Sequence, residues 1–109
     1  MKIRHEYERV PSSEIWNIVV AYTNKNRQFM SITGVKYDAK ATVDSVDYKG
    51  GRKGCVRAMS GESISKELFI SALNQVRMLE CINTKSVKPY IGRKQSPFIG
   101  LLQSANIIE

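Results

Sequence analysis

The residues from Ser63 to Glu80 constrain the fold more than any other part of the chain. Leu68, Phe69, Ala72, Leu73, Val76 and Leu79 recur at helical spacing and make one apolar stripe. The start of the helix is written there too. Ser65 is placed to accept a hydrogen bond from a first-turn amide as N-cap, and Ile64 and Phe69 occupy the two positions of a hydrophobic staple. A helix with so narrow an apolar face needs a surface to pack on, and the segments before it read as strands. With 109 residues there is room for one core, so the expectation is a single α+β domain over 1–109: an antiparallel sheet of three to four strands packed on two to three helices.

Several classes of protein are set aside by composition. Apolar residues at 42% and charged residues at 25% are ordinary for a globular chain and too apolar for a disordered one. No apolar run approaches the roughly 20 residues that cross a bilayer, so no membrane association is expected. The opening MKIRHEYERV is not followed by the apolar stretch of a signal peptide, which gives the expectation of a cytoplasmic protein. Cys55 and Cys81 suit that compartment as free thiols, although the sequence alone leaves a bond between them open. His5 is the only histidine, and no metal site of Cys/His type can be assembled locally.

The net charge of +7 is unevenly placed. Residues 1–48 carry seven Lys/Arg against six Asp/Glu, whereas residues 49–109 carry ten against four. Such asymmetry is the footprint of an anionic partner, nucleic acid first and an acidic protein second.

Along the chain, residues 1–10 read as a short strand or extended arm. Pro11-Ser12-Ser13-Glu14 opens a helix with a serine cap, running to Tyr22 or Asn24 and burying Ile15, Val19 and Tyr22, with Trp16 and Val20 beside them. Trp16, the sole tryptophan, reads as a core anchor ahead of a stacking or partner-binding residue. Gln28 to Thr33 reads as a strand that Gly34 breaks and Val35-Lys36-Tyr37 continues. Asp38-Ala39-Lys40 reads as a turn, and Ala41 to Tyr48 as the next strand, with Val46 and Tyr48 on one face and Val43 out of phase. Lys49-Gly50-Gly51-Arg52-Lys53-Gly54 then has the composition of a hairpin loop, and Cys55 to Met59 returns as a strand. Ser60-Gly61-Glu62 leads into the Ser65-capped helix. Near the end, Ser96-Pro97 starts a last helix with Phe98, Leu101, Leu102 and Ala105 on its apolar face, closed by Asn106. Ile107-Ile108 finish as a short strand or docked tail.

Two basic segments carry the functional reading. Lys49, Arg52, Lys53 and Arg57 fall on the glycine-rich hairpin with no acid among them. A loop of this kind lets backbone amides and long cations approach phosphates, although it lacks the Gly-Lys-Ser/Thr ending of a P-loop. Lys85, Lys88, Arg93 and Lys94 lie within residues 83–95 around Tyr90, and no acid occurs between Glu80 and Glu109. Cations interleaved with an aromatic suit phosphates and bases together.

The order of elements can be set beside two nucleic-acid-binding architectures. Residues 84–109 have the length of a helix-turn-helix, and the ending SPFIGLLQSANIIE resembles the recognition helix and exit strand of a winged helix. Against it, Pro89 would lie inside the preceding helix at a cost of about 3 kcal/mol. The first turns of the last helix also offer no Arg, Lys or Asn to base edges. The order helix, three strands, helix over residues 12–80 resembles, in topology alone, the double-stranded-RNA-binding domain. That resemblance implies phosphate contacts from a lysine cluster at the start of the second helix, where this chain has Lys66 alone, followed by Glu67.

Catalytic patterns are missing from the sequence. A lone histidine near the terminus gives a nucleophile no positioned base, and Asp44 and Asp47, three apart on a strand, point to opposite faces. The expectation is therefore a small basic binding protein, not an enzyme and without a cofactor, that holds nucleic-acid phosphates. The competing expectation is a protein-interaction module, an adaptor, inhibitor or homodimer subunit, presenting strand edges with Trp16, Tyr37, Tyr48 and Tyr90.

Overall fold

The computed structural model describes residues 1–31, 34–51 and 60–109. Helix α1 (Ser12–Asn26) leads into four strands, β1 (Gln28–Met30), β2 (Lys36–Ala41), β3 (Ser45–Gly50) and β4 (Glu62–Ser65). Three helices follow: α2 (Lys66–Val76), α3 (Thr84–Ile91) and α4 (Gln95–Ser104). The strands form one antiparallel sheet in the order β1-β2-β3-β4, so each neighbour in sequence is a neighbour in space. The α+β class and the small single domain are as the sequence implies, with four strands and four α-helices where it suggested two or three helices.

Alternation along the strands decides which face is covered. Phe29, Tyr37, Ala39, Val46, Tyr48 and Ile64 point to the helices and are buried. Phe29, Tyr37 and Tyr48 form an aromatic triangle there, with ring centroids 5.0–5.6 Å apart. A second aromatic row, Trp16–Phe69–Phe98, joins α1, α2 and α4 at 5.2 and 5.3 Å. Trp16 is a core anchor, and its indole Nε1 donates to the Val43 carbonyl at 3.2 Å, tying α1 to the β2–β3 turn. Tyr37 and Tyr48 are buried too, so neither they nor Trp16 can serve as an outward binding surface.

Ser65 is the N-cap of α2 as the sequence indicates, accepting from the Leu68 amide at 3.1 Å, and both staple residues, Ile64 and Phe69, are fully buried. The helix stops at Val76, short of Glu80. Arg77 stands where it ends. Its guanidinium donates to Ser12 Oγ at 3.2 Å and to the carbonyls of Tyr7 and Glu8 at 2.9 and 3.1 Å. Ser12 Oγ in turn donates to Asn74 Oδ1. Ser12 is therefore the first residue of α1 and a tie to α2, while Pro11 occupies the cap position without a side-chain bond. Two residues that the helical wheel gives to solvent, Asn74 and Arg77, thus hold the N-terminal segment in place. The helix α1 also outruns its expected end. Arg27 closes it in the left-handed conformation (φ 60°), with its amide bonded to the Thr23 carbonyl.

The strand boundaries differ from the sequence reading. Asp38-Ala39-Lys40 is not a turn but the middle of β2, which pairs Phe29↔Tyr37 and Ala39↔Tyr48. The reversals lie on either side. Gly34 (φ 84°) sits in the β1–β2 connection, so Lys36 and Tyr37 begin a new strand and do not continue the first, with Val35 outside both. Residues 42–44 form the β2–β3 turn, where Thr42 Oγ1 accepts from the amides of Asp44 and Ser45. Val43, out of phase in the sequence, is at that turn and 75% exposed. Asp44 is in the turn as well, not on a strand with Asp47. Glu62–Ser65, read as a lead-in to the helix, is β4. The expected strand from Cys55 to Met59 lies outside the described residues.

The chain ends are drawn together. Ile3 and Ile108 form an antiparallel bridge with reciprocal Lys2–Glu109 backbone bonds of 2.9 and 3.0 Å, so the tail docks as a short strand. The N-terminal arm becomes a 3-10 turn over His5–Tyr7.

Candidate nucleic-acid interface

The basic segment 83–95, a loop in the sequence reading, is mostly helical. Asn83 caps α3 through a reciprocal pair of bonds: its Oδ1 accepts from the Ser86 amide at 2.8 Å, and Ser86 Oγ accepts from the Asn83 amide at 2.9 Å. This is a capping box with serine in place of the usual Glu/Gln. Val87 and Ile91, one turn apart, are buried, which turns the opposite side of α3 outward.

Pro89 lies within this helix, contrary to the expectation that it would prevent one. Two features offset its cost. Only one intrahelical bond, the one its own missing amide would have made to the Lys85 carbonyl, is removed. The cap at one end and the burial of Val87 and Ile91 then hold the remaining turns.

Gly92 ends α3 at φ 66° and ψ −139°, a region essentially closed to residues with a Cβ, while its amide still bonds to the Lys88 carbonyl. A 3-10 turn over Gly92–Lys94 then swings the chain into α4. Ser96 and Pro97 are consequently the second and third residues of α4 and not its cap and first residue. Proline is harmless there because first-turn amides have no intrahelical partner.

This elbow brings one of the two basic segments together. Lys85 and Lys88 are exposed on α3, Arg93 is exposed in the turn and Lys94 is half-buried next to it in sequence; Tyr90 is exposed on α3 too, two positions after Lys88 and so on a different side of the helix. Lys85, Lys88 and Lys94 form no ion pair among the described residues. No acid occurs in residues 81–108.

Of the other segment, Lys49 is described, while Arg52, Lys53 and Arg57 lie outside the described residues. Gly50 and Gly51 both take positive φ at the end of β3, 152° and 103°. Lys49 is on the open face of the sheet, whereas Lys85, Lys88, Arg93 and Lys94 belong to the helical layer that covers the other face. Lys49 and the elbow therefore share neither an element nor a layer. Beneath Lys49 the open face forms a hollow of about 630 Å³. Its charged lining is balanced: Arg27, Lys40 and Lys49 against Asp38, Asp47 and Glu62. Lys49 stands directly opposite Asp38, and Lys40 opposite Asp47, so both of these strand lysines have an acid across the ladder.

The last helix cannot act as a reader of base edges. Residues 97–102 of α4 are all buried, leaving it no side to lay in a groove. Its Gly100 approaches β1 so closely that a Cβ there would stand 2.7 Å from the Met30 carbonyl oxygen. Among the described residues, no group of three His, Cys, Asp or Glu is placed to hold a metal ion, and no helix is long and apolar enough to cross a membrane.

The residues that position this site, Asn83 and Ser86, are the ones sequence reasoning passed over. Their signal was present as Asn-x-x-Ser ahead of Val87 and Ile91, and Pro89 outweighed it. Comparison with protein-family models, with characterised proteins and with solved structures yields no match.

Proposed function

We propose that this protein binds the phosphate backbone of nucleic acid, without reading sequence, through the elbow of α3: Lys85, Lys88, Arg93 and Lys94. The basic segment that carries Lys49, Arg52, Lys53 and Arg57 supplies a second phosphate contact. The observation that supports the reading is the elbow itself: Lys85 and Lys88 are exposed on a capped helix whose other side is core, and with Lys94 they form no ion pair among the described residues. Lysine heads on long stems neutralise phosphates as point charges, while reading base edges also calls for a helix or ribbon laid in a groove. Helix α3 has eight residues, about 12 Å of length, and exposes lysines. Affinity without sequence preference is what such a surface delivers.

The test is a salt titration of binding to mixed-sequence oligonucleotides, followed by fluorescence anisotropy. Four neutralised phosphates give a slope of log K against log salt of about −3.6 for duplex and about −2.8 for a single strand. Exchanging Lys85, Lys88, Arg93 and Lys94 for Gln removes most of that slope. A parallel variant with Lys49, Arg52, Lys53 and Arg57 exchanged measures the contribution of the hairpin. Binding that is undetectable at about 50 mM salt, or indifferent to salt, sinks the proposal, because phosphate contacts must release counterions.

A further inference from the structure

We infer that the elbow prefers single-stranded nucleic acid, with the ring of Tyr90 as a stacking platform for an unpaired base. The inference rests on the phosphate-binding reading and deepens it. Its observation is the fate of the aromatic side chains. The chain has one Trp, five Tyr and three Phe, all within the described residues. Trp16, the three Phe, Tyr37 and Tyr48 are buried, and Tyr7 and Tyr22 are half-buried against the core. Tyr90 alone is exposed, at 38%, and it is not among the residues packed on the core.

That one outward ring stands in the acid-free basic segment, two residues after Lys88 and three before Arg93. Its hydroxyl has no hydrogen-bond partner among the described residues, so nothing there fixes it to the protein. An exposed aromatic ring in a segment of cations is the combination by which single strands, flexible enough to pass from one side of a short helix to the next, are held without sequence preference. Each base offers the ring a π-face once it is unstacked, whereas in a duplex that face is already covered by neighbouring pairs. Phosphate contacts serve both forms; the ring serves only the single strand.

The experiment compares three probes of equal length on the intact chain: a deoxythymidine strand, an abasic strand with the same phosphates, and a mixed-sequence duplex. Tyr90→Ala and Tyr90→Phe are measured beside the wild type, with circular dichroism confirming that each is folded. The expected result is that the wild type binds the thymidine strand about tenfold more tightly than the abasic strand. Tyr90→Ala loses that margin while keeping its affinity for abasic strand and duplex, and Tyr90→Phe keeps the margin. Equal wild-type affinity for thymidine and abasic strands, or a thymidine affinity that Tyr90→Ala leaves unchanged, overturns the inference and leaves phosphate binding standing. Failure to bind any of the three probes removes phosphate binding, and the stacking role with it.

Discussion

Gly100→Ala turns the packing of α4 on the sheet into a measurable quantity. Elsewhere in a helix this exchange stabilises, since alanine is favoured over glycine by about 1 kcal/mol. At Gly100 the new Cβ would stand 2.7 Å from the Met30 carbonyl oxygen, 3.0 Å from the Ser31 Cα and 3.2 Å from the Met30 carbonyl carbon. All three are backbone atoms, so no rotamer change relieves the contact. Nor is the backbone free to retreat: Met30 is paired with Lys36, its amide donates to Ser104 Oγ at 3.2 Å, and the Ser31 amide bonds to the Val35 carbonyl at 2.9 Å. Overpacking costs about 1–3 kcal/mol, and against backbone held in this way the upper part of that range, about 2–3 kcal/mol, applies; less the helical gain of about 1 kcal/mol, a net loss of about 1–2 kcal/mol is expected. For a domain of this size that lowers Tm by roughly 4–16 °C. Urea unfolding followed by fluorescence is a clean assay, because Trp16 is the sole tryptophan and is buried. Gln103→Ala, on the exposed end of the same helix, is the control and should stay within about 0.5 kcal/mol of wild type. An unchanged or higher midpoint for Gly100→Ala, at constant m-value, would show that α4 does not sit this close to β1.

Three further perturbations probe the same scaffold. Ser65→Ala removes the α2 cap and should cost about 1 kcal/mol by urea unfolding, whereas Ser65→Asp should cost little; equal losses in both would assign the effect to something other than capping. Arg77→Met removes the charged donor from the carbonyls of Tyr7 and Glu8, of which Tyr7's keeps the Val10 amide, and should cost about 1.5–3 kcal/mol, with hydrogen exchange faster in residues 1–10 than elsewhere; unaltered exchange there would refute the tie. Pro89→Ala restores the amide that can bond to the Lys85 carbonyl. It should stabilise the chain by about 1–2 kcal/mol, the gain in helix propensity being partly offset by a more flexible unfolded chain, and a loss of stability would mean that α3 depends on the proline.

What the sequence made legible follows from how local each signal is. The α2 start was readable because the cap, the staple and the apolar stripe lie within a few residues of one another and agree. The sheet was harder. Asp38 and Lys40 are turn-forming and polar by composition, yet they are simply the outward residues of β2, and only the pairing of Ala39 with Tyr48 reveals it. The end of α1 carried no glycine, because Arg27 itself takes the left-handed conformation. The tie from Arg77 to Ser12 spans 65 residues, a separation at which no local pattern can report.

The same contrast bears on the candidate site. Charge counting gave the two basic segments equal weight, since both lack acids in sequence. The fold separates them by supplying neighbours from elsewhere. Lys49 faces Asp38 across the ladder, an acid eleven positions away in sequence but directly opposite in register, although the two form no ion pair. Lys85 and Lys88 form no ion pair among the described residues either, and they have no strand partner opposite them, because they stand on the exposed side of α3. A basic run becomes an anion site only where the fold brings no carboxylate to it. By that criterion the elbow is favoured over Lys49, and with every other aromatic ring buried or half-buried, Tyr90 is the exposed ring that can make phosphate attraction sensitive to bases.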